Sequence, residues 1–158
     1  MIARLVEITR IFAGHQSVRP DRPEVVPLAT TFRLAADLYG VIRLHPSGFT
    51  LCMRTMSLVT AKYDDEYCVS RDGYEKRLRC MPPDRLDLVD WIVKASERLR
   101  FHGEFCGGWP DGLGIYVLDV SVVVRGLARA IEFGLANRQT SICHLRSGSS
   151  IDLGPCMS

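Results

Sequence analysis

The residues from Glu104 to Leu153 constrain the fold of this chain more than any other stretch. They read EFCGGWPDGLGIYVLDVSVVV, then RGLARAIEFGLANRQ, then TSICHLRSGSSIDL. The first block carries a β-branched strand over Ile115–Val122, preceded by a Gly-Gly-Trp-Pro-Asp-Gly turn. The second predicts a helix from about Arg125 to Ala136 that buries Leu127, Ile131 and Leu135 and stops at Asn137. The third predicts two short strands, Thr140–His144 and Ser150–Leu153, joined around Ser147-Gly148.

Upstream, apolar residues of 1–13 fall near helical spacing, and residues 17–27 carry Pro20, Pro23 and Pro27, the composition of a linker or strap. Thr30 or Thr31 caps a short helix that Gly40 ends. Val41–Leu44, Phe49–Met53, Tyr67–Ser70 and Tyr74–Cys80 read as strands, with turns at His45–Gly48 and Arg71–Gly73, the latter a hairpin. Asp84 is a good N-cap for a helix whose stripe of Leu86, Val89, Ile92 or Val93, Ser96 and Leu99 faces the core. Runs of strands separated by two helices predict an α+β fold. The expected form is a mostly antiparallel sheet of about five to seven short strands, two main helices packed on one face, and an N-terminal helical extension. Residues 1–40 are expected to be that extension and 41–158 a single domain.

A chain of 158 residues buries an ample core without metals or disulfides. A net charge of +2 gives no general attraction to nucleic acid or anionic membranes. The apolar run Ile115–Val124 contains Asp119 and is too short to span a bilayer. Arg4, Glu7 and Arg10 interrupt any secretory apolar segment near the start. The expectation is a cytoplasmic protein with no membrane partner, whose six cysteines are reduced. Arginine outnumbers lysine, which suits phosphate or carboxylate contacts but also follows from codon usage.

Residues 48–153 also carry a recognisable pattern: Gly48-Phe49-Thr50, Arg54-Thr55, Tyr67-Cys68-Val69-Ser70, Gly107-Gly108-Trp109, Tyr116, Leu118-Asp119-Val120-Ser121, and Asn137-Arg138-Gln139 before a strand. This resembles a small module carried by bacterial and phage-borne proteins of unassigned function. Met56 stands where the pattern has glycine, and Asn137-Arg138-Gln139 replaces a simpler Asn-Gln pair. The resemblance implies a recurring fold and no named activity.

Several constellations bear on chemistry. In an extended strand His102, Glu104 and Cys106 share a face. His-x-Glu is found in zinc nucleobase deaminases, but these also need Pro-Cys-x-x-Cys, and Pro155-Cys156 has no second cysteine, so no metal and no cofactor is expected. Cys143 and His144 are adjacent and point to opposite faces, which keeps both out of one tetrahedral site. Cys106 meeting His144 across the sheet, with Asp119 orienting the imidazole, would make a cysteine hydrolase or transferase. Asp119 read structurally caps a turn at the strand end or pairs with Arg125. Arg77 and Arg79 share a strand face near Tyr74 and could neutralise single-stranded nucleic acid, a partner that the neighbouring Asp64, Asp65, Glu66, Asp72 and Glu75 oppose. The glycine-rich segment lacks the Gly-Lys-Ser/Thr of a phosphate loop and presents Trp109. The leading expectation is a non-enzymatic module that binds an unknown protein or small ligand through Trp109, Asp111, Asn137, Arg138 and Gln139. The cysteine enzyme using Cys106, His144 and Asp119 is the alternative, and the nucleic-acid binder is the weaker one.

Overall fold

A computed structural model of the protein describes residues 27–79, 82–101, 104–111 and 113–154. The expected helix over 1–13, the strap up to residue 26, and the residues His102, Gly103 and Cys156 lie outside them. Among the described residues the order is α1 (Leu28–Leu44), β1 (Phe49–Cys52), β2 (Ser57–Leu58), β3 (Glu66–Ser70), β4 (Lys76–Leu78), α2 (Arg85–Phe101), β5 (Phe105–Pro110), β6 (Tyr116–Arg125), α3 (Leu127–Ala136), β7 (Ser141–His144) and β8 (Ser150–Asp152). The strands form one eight-stranded sheet, ordered β2-β1-β5-β6-β3-β7-β8, with β4 also on β6. Every pairing is antiparallel. The α+β class and the mostly antiparallel sheet are as expected, with short extra strands raising the count.

All three helices lie on one face. Alternation along β6 puts Tyr116, Leu118, Val120, Val122 and Val124 on the same side. The first three pack with Ala35, Leu38 and Ile42 of α1 and with Leu88, Val89, Trp91, Ile92, Ala95 and Leu99 of α2. Val122 and Val124 join Tyr67, Val69, Ile142 and Ala130 of α3 in a second cluster. The chain thus builds two adjoining cores on one side of a continuous sheet.

Several local expectations change. Val41–Leu44 is the last turn of α1 rather than a strand, and Gly40 does not end the helix. Ile42 is fully buried at helical spacing from Leu38 and Ala35, so burial of the helix face outweighs β-branching. The boundary placed after residue 40 therefore falls inside α1, and residues 28–40 pack with the domain. Arg71–Gly73 is not a hairpin: β3 and β4 run the same way along one edge of β6. The six-residue step from Ser70 to Lys76 bulges past only three steps of β6, from Ser121 to Leu118. Gly107–Pro110 belongs to β5, and the turn begins at Asp111. In α2, Asp84 does cap the helix, accepting from the Leu86 N–H at 2.9 Å. Its buried stripe is rotated toward Leu88, Trp91 and Ala95, because the Trp91 indole reaches the Tyr74 carbonyl at 2.8 Å. In α3, Leu127 and Leu135 are exposed while Ala130 and Gly134 face the sheet. A Cβ on Gly134 would lie 2.7 Å from Leu153 and 3.0 Å from Ile142, so only small residues let this helix sit so close.

Candidate functional site

The face away from the helices is concave. β5 and β6 lie between β1 and β3, so a flat sheet would hold β1 and β3 about 14 Å apart at the usual strand spacing. Yet the Thr50 hydroxyl of β1 reaches Cys68 Sγ of β3 at 3.5 Å. The sheet coils over the middle strands, and Gly107 on β5 leaves the space into which the neighbours lean. A Cβ there would lie 2.2 Å from Asp119 Oδ1 and 2.9 Å from Ser121 Oγ.

Asp119 occupies the centre of this concavity at 3% exposure. Its Oδ2 accepts from Ser70 Oγ at 2.7 Å and from Trp109 Nε1 at 3.0 Å, and its Oδ1 accepts from Ser121 Oγ at 2.5 Å. Three neutral donors from three strands hold a carboxylate that forms no ion pair among the described residues. Such charge-assisted bonds make up for the lost hydration. Asp119 thus neither caps a turn at the strand end nor pairs with Arg125, which instead meets Asp65 at 3.4 Å.

The negative charge and the burial together govern the thiols. Burial first, and then Asp119, push the Cys106 thiol well above its ordinary range. Burial likewise raises Cys68 to about 12, with Asp119 adding to the rise and the Thr50 hydrogen bond opposing it. Cys143 is raised by burial and Asp119. Among the described cysteines Cys52 alone is lowered, chiefly by the Thr55 side chain.

Cys106, Asp119 and His144 do not meet. Cys106 points to the helix side and leans on the Gly107 carbonyl, whereas Asp119 points to the concave side. His144 pairs with Tyr67, so β6 and β3 separate its strand from that of Cys106. Its ring nitrogens are engaged by Ser147 Oγ at 2.7 Å and the Asp64 carbonyl at 2.6 Å. Glu104, from the His-x-Glu motif, is buried and held by Arg71 Nη2 at 2.8 Å, with Arg98 at 3.7 Å. Among the described residues no group of three or more His, Cys, Asp or Glu side chains could hold a metal ion.

The expected binding residues divide into two places. Trp109, at the end of β5, is 40% exposed with its N–H anchored on Asp119. Asp111 ties the β5–β6 turn: its Oδ1 accepts from the N–H groups of Leu113 at 2.8 Å and Ile115 at 3.1 Å, and its Oδ2 accepts from Arg77. That leaves Leu113 projecting at 84% exposure. Gly48 packs under the Trp109 backbone, and the Tyr116 hydroxyl donates to the His45 carbonyl at 3.2 Å, so exposed Leu44 belongs to the same end of the sheet.

Asn137, Arg138 and Gln139 lie elsewhere, closing α3. Gln139 N–H reaches the Gly134 carbonyl at 2.9 Å and Arg138 N–H reaches that of Leu135 at 3.0 Å. These are the two bonds of a Schellman cap, with Arg138 in the left-handed region at φ 56°. The Asn137 side chain donates to Phe133 O and that of Gln139 to Asn137 O. Arg77, expected on a nucleic-acid face, is shared between Glu75 and Asp111.

Sequence reasoning missed Ser70, Ser121, Gly107, Thr50 and Cys68 as parts of one cluster. Only Ser121 carried a usable signal, since it lies two residues from Asp119 and so on the same strand face. Neither a family model, nor a curated protein, nor a solved structure matches this chain. No described helix is long and apolar enough to cross a membrane.

Proposed function

We propose that this protein is a non-enzymatic cytoplasmic module that binds a protein or small ligand through the Trp109 end of its sheet. The observation that carries the reading is the indole itself. It is substantially exposed, yet its N–H is fixed to a buried carboxylate. An aromatic side chain already held in place loses little freedom when a partner covers it, the condition that favours an interface anchor. Exposed Leu113 and Leu44 extend the apolar character of this end. The groups available for chemistry argue the same way. Asp119 is engaged by three donors, and burial holds the Cys68 and Cys106 thiols protonated at neutral pH. Because Asn137 and Gln139 serve the end of α3, the proposed surface narrows to Trp109 and the turn that Asp111 braces.

The test is a displayed random-peptide library and a metabolite thermal-shift screen, each run against the wild type and Trp109→Ala. The expected result is at least one ligand whose affinity falls about thirtyfold in Trp109→Ala, the loss of an aromatic hot spot. Ligands that bind both proteins equally would overturn the proposal.

A further inference from the structure

We propose that Cys68 and Cys143 form a reversible dithiol–disulfide pair, a modification site on the concave face. They are direct register partners on neighbouring antiparallel strands, and both are free thiols. Their side chains therefore project from the same face, side by side. Two residues along, the Leu145 N–H donates to the Glu66 carbonyl at 2.9 Å. Hydrogen-bonded pairs recur every second residue, so Cys68 and Cys143 also form one, with Cα atoms about 5.5 Å apart. That lies inside the usual range for a disulfide.

The fit is close without being free of strain. Directly opposed Cβ atoms in a sheet sit about 4.5–5.5 Å apart, whereas a disulfide wants about 3.5–4.5 Å. The strands must pinch locally, and a bridge formed under such strain is more easily reduced than a structural one. The two thiols also differ in access. Cys143 is half-buried, while Cys68 is buried under Thr50. Other pairings are less favoured among the described cysteines: Cys106 points to the opposite face, and it is Thr50 of β1 that meets Cys68, with Cys52 two residues, about 7 Å, further along that strand.

The step needs a low-molecular-weight disulfide as oxidant. Cys143 loses its proton, and its sulfur attacks one sulfur of the small disulfide, releasing a first small thiolate. Cys68, deprotonated in turn, attacks the Cys143 sulfur of the mixed disulfide and releases the second. The two protons end on the two released thiols, and two electrons pass from the protein to the oxidant. In the product, Cys68 Sγ has turned from Thr50 toward β7, so the bridge changes one contact of the Asp119 cluster.

The full chain would be equilibrated at pH 8 in mixtures of oxidised and reduced glutathione, acid-quenched, alkylated, and digested with trypsin without reduction. The expected result is one dominant linked species joining peptide 63–71 to peptide 139–146. It should form with unchanged far-UV circular dichroism and disappear as the mixture becomes more reducing. In Cys68→Ser, Cys143 should carry glutathione instead. The proposal is overturned if the folded wild type forms no such link in mixtures that glutathionylate Cys52. It also fails if Cys68 and Cys143 pair indiscriminately with other cysteines, or if the link survives the most reducing mixture.

Discussion

Gly107→Ala tests the concave cluster most directly. The new methyl would stand 2.2 Å from Asp119 Oδ1, 3.0 Å from Asp119 Cγ and 2.9 Å from Ser121 Oγ. Ordinary contact begins near 3.4 Å, so the carboxylate must move by more than an ångström or β5 must lift from β6. Either movement disrupts the bonds from Ser70, Ser121 and Trp109. Hydrogen bonds to a charged group are worth about 1.5–3 kcal/mol each, and overpacking adds about 1–3 kcal/mol. Losing one or two bonds, offset by about 0.5–1 kcal/mol from replacing a strand glycine, predicts a net destabilisation of about 3–5 kcal/mol. Urea unfolding followed by far-UV circular dichroism measures it. In an Asp119→Ala background the same substitution should cost less than about 1.5 kcal/mol, because the clashing group is gone and only Ser121 remains. The reasoning fails if Gly107→Ala costs under 1 kcal/mol, or costs the same in both backgrounds.

Three further outcomes are expected. At pH 7.5 iodoacetamide should modify Cys52 first among the described cysteines, with Cys68 about a thousandfold slower in thiolate supply and Cys106 also much slower; mass spectrometry of timed samples gives the order, and fast labelling of Cys106 would revive a catalytic role for it. The thiol contribution to stability should be full below about pH 8 and be lost progressively as pH rises through the ordinary thiol value. The folded protein holds the Cys68 and Cys106 protons above the ordinary thiol value, Cys68 to about 12, so the unfolded chain releases them first. The slope should approach about 1.4 kcal/mol per pH unit for each thiol, read from urea midpoints between pH 8 and 10.5. Arg138→Gly should raise stability by about 1 kcal/mol, because Arg138 occupies a left-handed cap position at 75% side-chain exposure and its ion pair with Asp72 is long, at 3.8 Å; an unchanged or lower thermal midpoint would contradict this.

Much of the architecture was legible without coordinates. The β-branched run after the glycines, the Asp84 cap, the stop at Asn137 and the closing pair of strands all follow from chemistry acting over a few residues. So does the α+β class, which needs only the order of elements. What failed was the choice of face and boundary. In α2 and α3 more than one stripe has helical spacing, and the winning stripe depends on what the sheet offers: Trp91 finds the Tyr74 carbonyl, and Gly134 fits against Leu153 and Ile142. Val41–Leu44 has strand-like composition but completes a helix, because Ile42 extends the buried face of Ala35 and Leu38.

The candidate site shows the same division more sharply. Asp119 and Trp109 stand out in the sequence, one as a lone acid in an apolar strand and the other as an aromatic in a glycine-rich segment. That they bond to one another depends on the register Trp109–Val117 and on the coil of the sheet. The same coil carries Thr50 to Cys68 across two intervening strands. Register also brings Cys68 beside Cys143 and keeps Cys106 away from His144. The sequence by itself determined which segments become strand or helix, since those preferences are local. Which side chains meet was decided only by the tertiary structure, because strand order, register and curvature are properties of the whole sheet.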